Sequence, residues 1–230
     1  FKYAIGEILL VVIGILIALQ INNWNENNKN RELNQKYLKL LESDLELDIQ
    51  HFENLKIGLT EQALKIDSIG KLLSNPHTTI EQLNLIIKEN HLIFKLIEDT
   101  NLNTSTFKAL QNSGRFDLLD NELQDGLRLL NQEQNEYKEY TKDNIDIFLQ
   151  GYTDFVEKLP ITLKTNDGYM NINDTITSYL WSKVNWPVVQ RKFINILTLR
   201  AFYVSSSIER INKISKITEE QIQLLNSKRI

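Results

Sequence analysis

The sequence predicts an all-α protein: one N-terminal transmembrane helix, then an antiparallel bundle of long helices with short helices and one irregular insert. Three observations lead there. Only 8 Gly and 3 Pro occur in 230 residues, too few for turn-dense sandwiches or propellers. Apolar residues recur at the helical period over long stretches. Residues 8–19 read ILLVVIGILIAL, without one polar side chain. The 42% hydrophobic and 24% charged content excludes both a polytopic membrane protein and a disordered tail. A net charge of −4, from 26 Lys+Arg against 30 Asp+Glu, offers nucleic acid no basic field. With no Cys there is no disulfide, thiol nucleophile or zinc ribbon.

Residues 1–24 are the expected membrane helix. The apolar stretch extends from Tyr3 to Ile21, interrupted only by Glu7 and Gln20, and covers about 28 Å at ~1.5 Å per residue, close to a bilayer core. A cleaved signal peptide competes with this reading, but no small-x-small cleavage site comes after the run. A buried core helix would be apolar on one stripe rather than all round. Trp24 reads as an interfacial anchor. Glu7, Val11, Gly14, Ala18 and Ile21 share one stripe, and Gly14 with Ala18 forms a small-xxx-small motif, so these five are the expected association seam between membrane helices. The Glu7 carboxylate should face a protein neighbour, a water-filled cavity or the headgroups. The flanks carry Lys2 on one side and Lys29, Arg31 and Lys36 on the other. Taken literally, that places the C-terminal part in the cytoplasm. The chain opens on Phe1 rather than Met, so further flanking residues are expected ahead of it.

The opening string FKYAIGEILLVVIGILIALQINNWNE resembles the signature of a large family of uncharacterised single-span proteins from flavobacteria and other Bacteroidota. Residues 106–114, TFKALQNSG, resemble that family's pattern of an aromatic or small residue, a Leu, then Ser-Gly. The resemblance implies a short basic cytoplasmic N-terminus, one inner-membrane span and a periplasmic helical domain. It implies no activity and no catalytic residues. That orientation is preferred to the literal charge count.

Residues 25–37 form a polar juxtamembrane segment, Asn-rich and read as a solvated helix. The helical periplasmic domain is expected over 38–230. Its first helix carries a heptad seam at Leu38, Leu45, Phe52, Leu59, Ile66 and Leu73, with Leu41, Leu55 and Ile69 as companions and Asp48 and Gln62 as exceptions. Asn75-Pro76 ends it. Thr78 and Glu81 have capping-box spacing ahead of a short helix with Leu83, Ile86, Ile87 and Phe94 on its buried face. A second short helix covers 106–113, closed by Gly114 in a left-handed cap. Asp120 caps a long helix with Leu123, Leu127, Leu130, Tyr137, Phe148, Tyr152, Phe155 and Leu159 inside, stopped by Pro160. Residues 161–186 are the irregular insert, a small hairpin turning at Asn166-Asp167-Gly168 or a helical segment with aromatic packing. Pro187 opens the last helix, with Ile194, Leu197, Ala201, Val204, Ile208, Ile211, Ile222 and Leu225 inward.

Candidate chemistry is sparse. Asp44, Asp48 and His51 share a helical face, but no Glu-x-x-His repeats on a facing helix, and a solvated face explains them. Ser205-Ser206-Ser207 and Ser113-Gly114 lack a nucleophile elbow and a His partner, and Gly126, Gly151 and Gly168 form no phosphate loop. Thr175 and Ser68 fit a short Asp-Ser/Thr-apolar pattern for O-glycosylation, Thr175 being the better acceptor. Tyr169, Tyr179, Trp181 and Trp186 cluster in the insert as a core plug or a partner surface. The expected function is therefore a non-enzymatic, single-span inner-membrane protein without a cofactor, whose periplasmic bundle, coiled-coil in character, is an oligomeric scaffold or interaction module. Its expected partners are the lipid bilayer, a second copy of itself and an envelope protein, not nucleic acid. The alternatives are a pore-forming or proton-coupled membrane-complex subunit using Glu7, and a periplasmic ligand sensor.

Overall fold

The computed structural model describes residues 2–90, 102–160 and 173–228, with side chains from Leu10 onward. Every described element is helical: α1 (Lys2–Ser74), α2 (Ile80–Asn90), α3 (Ser105–Asn112), a single 3₁₀ turn at Phe116–Leu118, α4 (Asn121–Val156), α5 (Asp174–Ser182) and α6 (Trp186–Lys228). The all-α expectation holds for these residues.

The transmembrane element does not. Among the described residues, no helix is long and apolar enough to cross a membrane. The physical reason is the polar composition of the turns directly after the apolar run. On the same unbroken helix it meets Gln20, Asn22, Asn23, Asn25, Asn27 and Asn28, so the run without a polar side chain, residues 8–19, falls short of the ~20 residues that a span requires. The membrane-helix reading of residues 1–24 is corrected accordingly. With it fall the single-pass inner-membrane localisation and the single-span scaffold function. The polar segment 25–37 is helical throughout and continuous with both neighbours.

Local chemistry sets the helix ends. α1 stops at Ser74 before Asn75-Pro76, as the missing proline donor requires. The capping box sits one residue later than its expected place. The Gln82 amide N–H donates to the Thr79 hydroxyl at 3.3 Å, and the Thr79 N–H donates to Gln82 Oε1 at 2.8 Å. The Thr78 hydroxyl instead donates to the Leu72 carbonyl at 2.6 Å. The Leu72 carbonyl, which also accepts from the Asn75 N–H at 3.3 Å, has a second lone pair for that hydroxyl, and Gln serves the box as well as Glu does. At the end of α3, Gly114 adopts φ +65°. The Arg115 N–H then reaches the Leu110 carbonyl at 3.0 Å and the Gly114 N–H the Gln111 carbonyl at 3.2 Å, which is the double bond of a Schellman cap. Asp120 caps α4 through the Leu123 N–H at 3.1 Å.

The chain divides into two compact units. The first comprises residues 1–49, 103–131 and 217–230. Within it α3 is antiparallel to α1, since the pairs 48/103, 44/106 and 37/115 run in opposite senses. Leu38, Leu41 and Leu45 are buried there, as are Phe107, Leu110, Phe116, Leu123, Leu127 and Leu225. Gly126 of α4 lies so close to the Gln221 amide of α6 that a Cβ there would require that side chain to move.

The second unit comprises residues 50–102 and 132–216. Here α4 and α6 are antiparallel, with the Lys192–Asp154 ion pair at one end of the contact and Lys213–Glu133, at 2.6 Å, at the other. Its core joins Ile69, Ile86, Ile87, Phe148, Phe155, Leu159, Val189, Phe193, Ile196 and Leu197. The inward face of α6 differs partly from the expected one. Ile194 is exposed, whereas Phe193, Ile196, Tyr203 and Ile214 are buried. Residues 166–172, on which the hairpin alternative rests, lie outside the described residues, and from Asp174 the insert is helical.

Candidate functional site

Two sets of side chains stand out. The first is the apolar stretch of α1. Every residue from Leu10 to Asn27 is exposed. Val11 and Ile21 are 58% and 61% accessible and Trp24 67%, and a Cβ placed on Gly14 would meet nothing within 4 Å. Val11, Gly14, Ala18 and Ile21 thus share an open helical stripe. The Glu7 side chain lies outside the described residues, so no protein neighbour is assigned to it. Leu10, Val12, Ile13, Ile15, Leu16, Ile17 and Leu19 are also exposed, so the segment is apolar on all its sides.

The second set consists of buried polar groups inside the heptad seam. Leu38, Leu45, Phe52 and Leu59 are buried with their companions Leu41, Leu55 and Ile69, while Ile66 and Leu73 are half-buried. The two exceptions to the seam are buried too. Asp48 is fully buried and accepts from the Asn103 backbone N–H at 2.7 Å and from its Nδ2 at 3.0 Å. One turn earlier, Asp44 accepts from the Thr106 N–H at 3.0 Å and the Ser105 hydroxyl at 3.1 Å. Thr104 precedes α3 without a side-chain cap of its own. Asp44 therefore caps α3 from another helix, supplying the acceptor that a helix N-terminus needs. These carboxylates, read from the sequence as a solvated face, are structural acceptors. Among the described residues no group of three His, Cys, Asp or Glu side chains is placed to hold a metal ion.

In the second unit the seam exception is Gln62. Its Oε1 accepts from Arg200 Nε at 2.9 Å and from a terminal guanidinium nitrogen at 2.5 Å. Arg200 is only 1% exposed and is the largest of the fully buried side chains. Its guanidinium lies 5.1 Å from the Phe148 ring centroid and 4.8 Å from that of Tyr203, so aromatic faces replace part of its lost hydration. Tyr203 stacks on Tyr140 at 6.2 Å, and Arg210 sits 4.3 Å from the Tyr140 ring. Burial raises the Tyr203 phenol above its ordinary range, against the opposing pull of Ser207, Arg200 and Thr141. Sequence reasoning passed over Arg200, Thr141 and Asn103, and weighed Ser207 only as a nucleophile. A signal existed for one of them: Arg200 occupies the heptad series Phe193, Arg200, Ser207, Ile214, whose four members are all buried.

Of the aromatic cluster in the insert, Trp181 and Trp186 stack at 5.8 Å and pack against the second core. Lys88 lies over both rings. Tyr179 is exposed, and Tyr169 lies outside the described residues. Thr175 and Ser68 are both exposed, Thr175 in the first turn of α5 and Ser68 on α1.

No curated protein and no solved structure matches the chain. The match that is found names no activity, location or site residue: residues 7–118 match the model of DUF6090, a family of unknown function.

Proposed function

We propose that the chain is a non-catalytic helical interaction module that works as a homo-oligomer, with residues 10–24 of α1 as the contact surface. The observation that carries this reading is the exposure of every apolar side chain along that stretch. A contiguous apolar surface of that extent marks an interaction site in a folded protein. A second copy of the same segment suits it, because Gly14 and Ala18 let two helix backbones approach closely along the stripe that Val11 and Ile21 complete.

Sedimentation velocity on the full chain tests this. The wild type should sediment as an oligomer. Gly14→Leu should dissociate it more than Ile13→Leu or Ile15→Leu, which lie off the stripe. A monomeric chain that floats instead with phosphatidylcholine vesicles would assign the surface to lipid and overturn the reading.

A further inference from the structure

We infer that the Arg200–Gln62 pair is a register lock, a conformational device that fixes the axial position of α6 against α1 in the second unit. In that unit the seam of α1 repeats Phe52, Leu59, Ile66 and Leu73 every seven residues, and such a repeat packs nearly as well after a slip of one heptad. A purely apolar seam therefore specifies that helices meet without specifying where. Gln62 breaks the repeat on α1 and Arg200 breaks it on α6. The two breaks meet each other through two hydrogen bonds to one oxygen. Leu55 and Ile69 occupy the corresponding positions one heptad away on α1, so a slipped register would set the guanidinium against an aliphatic side chain. Arg200 also touches the third long helix, through Phe148 of α4, which extends the lock to three helices. Stability alone would be served as well by an apolar pair, because burying a guanidinium carries a large desolvation cost. This inference is independent of the self-association proposed above, since it concerns contacts within one chain.

Spin labels on the full chain, introduced through Ser68→Cys in α1 and Thr198→Cys in α6, report the register by pulsed dipolar spectroscopy. Both positions are exposed and the natural chain has no cysteine. The labelled wild type should show one narrow distance. Gln62→Leu alone should lower the melting temperature, because it removes two hydrogen bonds from a buried guanidinium. The double variant Gln62→Leu/Arg200→Met should melt at or above the wild type while its distance distribution splits, a new component appearing about 5 or 10 Å away, one turn or one heptad. A single unchanged distance in the double variant would overturn the lock. So would a double variant that fails to fold, or a Gln62→Leu variant that melts like the wild type, since each would give the pair a different role.

Discussion

The two units place a polar residue at the same kind of position in the α1 seam and use it differently. In the first, the Asp48 carboxyl accepts from Asn103, in the segment leading into α3. In the second, the neutral Gln62 amide oxygen accepts from a cation on a long helix. A connection without repeating structure of its own needs its amide donors satisfied, and a buried carboxylate with several lone pairs serves many donors at once. A long helix already satisfies its backbone, so its seam needs only one specific contact to fix its position. The chemistry of each exception is set by the segment it must hold.

Phe52→Asp tests the second unit most severely. Phe52 is 1% exposed, and an unpaired carboxylate in its place should cost about 4 kcal/mol or more. Thermal melting should show a large fall in midpoint or no folded state. A midpoint like that of the wild type would mean that the seam does not carry this core.

Asp48→Ala should come next, at about 3 kcal/mol, because it leaves two donors of Asn103 without their acceptor. Hydrogen exchange sharpens the comparison. The Asn103 amide should lose protection, while the Phe193 and Leu197 amides of the second core should lose no more than the global destabilisation accounts for. Asp44→Ala should cost less, about 1 kcal/mol, the usual value of a helix cap. Fraying confined to the first turn of α3 would be its signature in exchange. Equal effects from the two alanine variants would remove the distinction between holding a segment and capping a helix.

Much of this fold was legible. The seam positions of α1, the stops at Asn75-Pro76, the left-handed Gly114 and the Asp120 cap obey local rules that act within a few residues. The Thr78 reading slipped by one residue because two adjacent threonines competed for two sites, an N–H ahead and a carbonyl behind, and only the folded chain decides between them. The face of α6 was partly misread because Ile194 is apolar yet exposed while Arg200 is charged yet buried; residue type alone reverses both. Asp44 and Asp48 were seen as a shared face, but their partners lie more than fifty residues away, beyond any spacing argument. The apolar opening read as a membrane span because the stretch was extended past Glu7 and Gln20 to Tyr3 and Ile21, and the amide-rich turns after it were taken as a juxtamembrane segment.

The smallest expected effect is also the most selective for the second unit. Tyr203 is buried there, and loss of hydration raises its phenol above the ordinary 10.0. A group whose folded pKa is raised contributes stability that is present below the unfolded value and lost as pH rises through the folded one. The wild type should therefore lose stability above the ordinary phenol pKa, since the unfolded chain releases that proton more readily. Tyr152, also raised by burial, acts in the same direction and is common to both proteins. Tyr203→Phe removes one hydroxyl and should change stability near neutrality by under about 1 kcal/mol. Its urea midpoint should then fall less steeply than that of the wild type above pH 10.0, where the phenylalanine has no proton to lose. Parallel alkaline slopes for the two proteins would show that the Tyr203 hydroxyl is equally hydrated in the folded and unfolded chains, and the buried cluster around Arg200 would lose its second member.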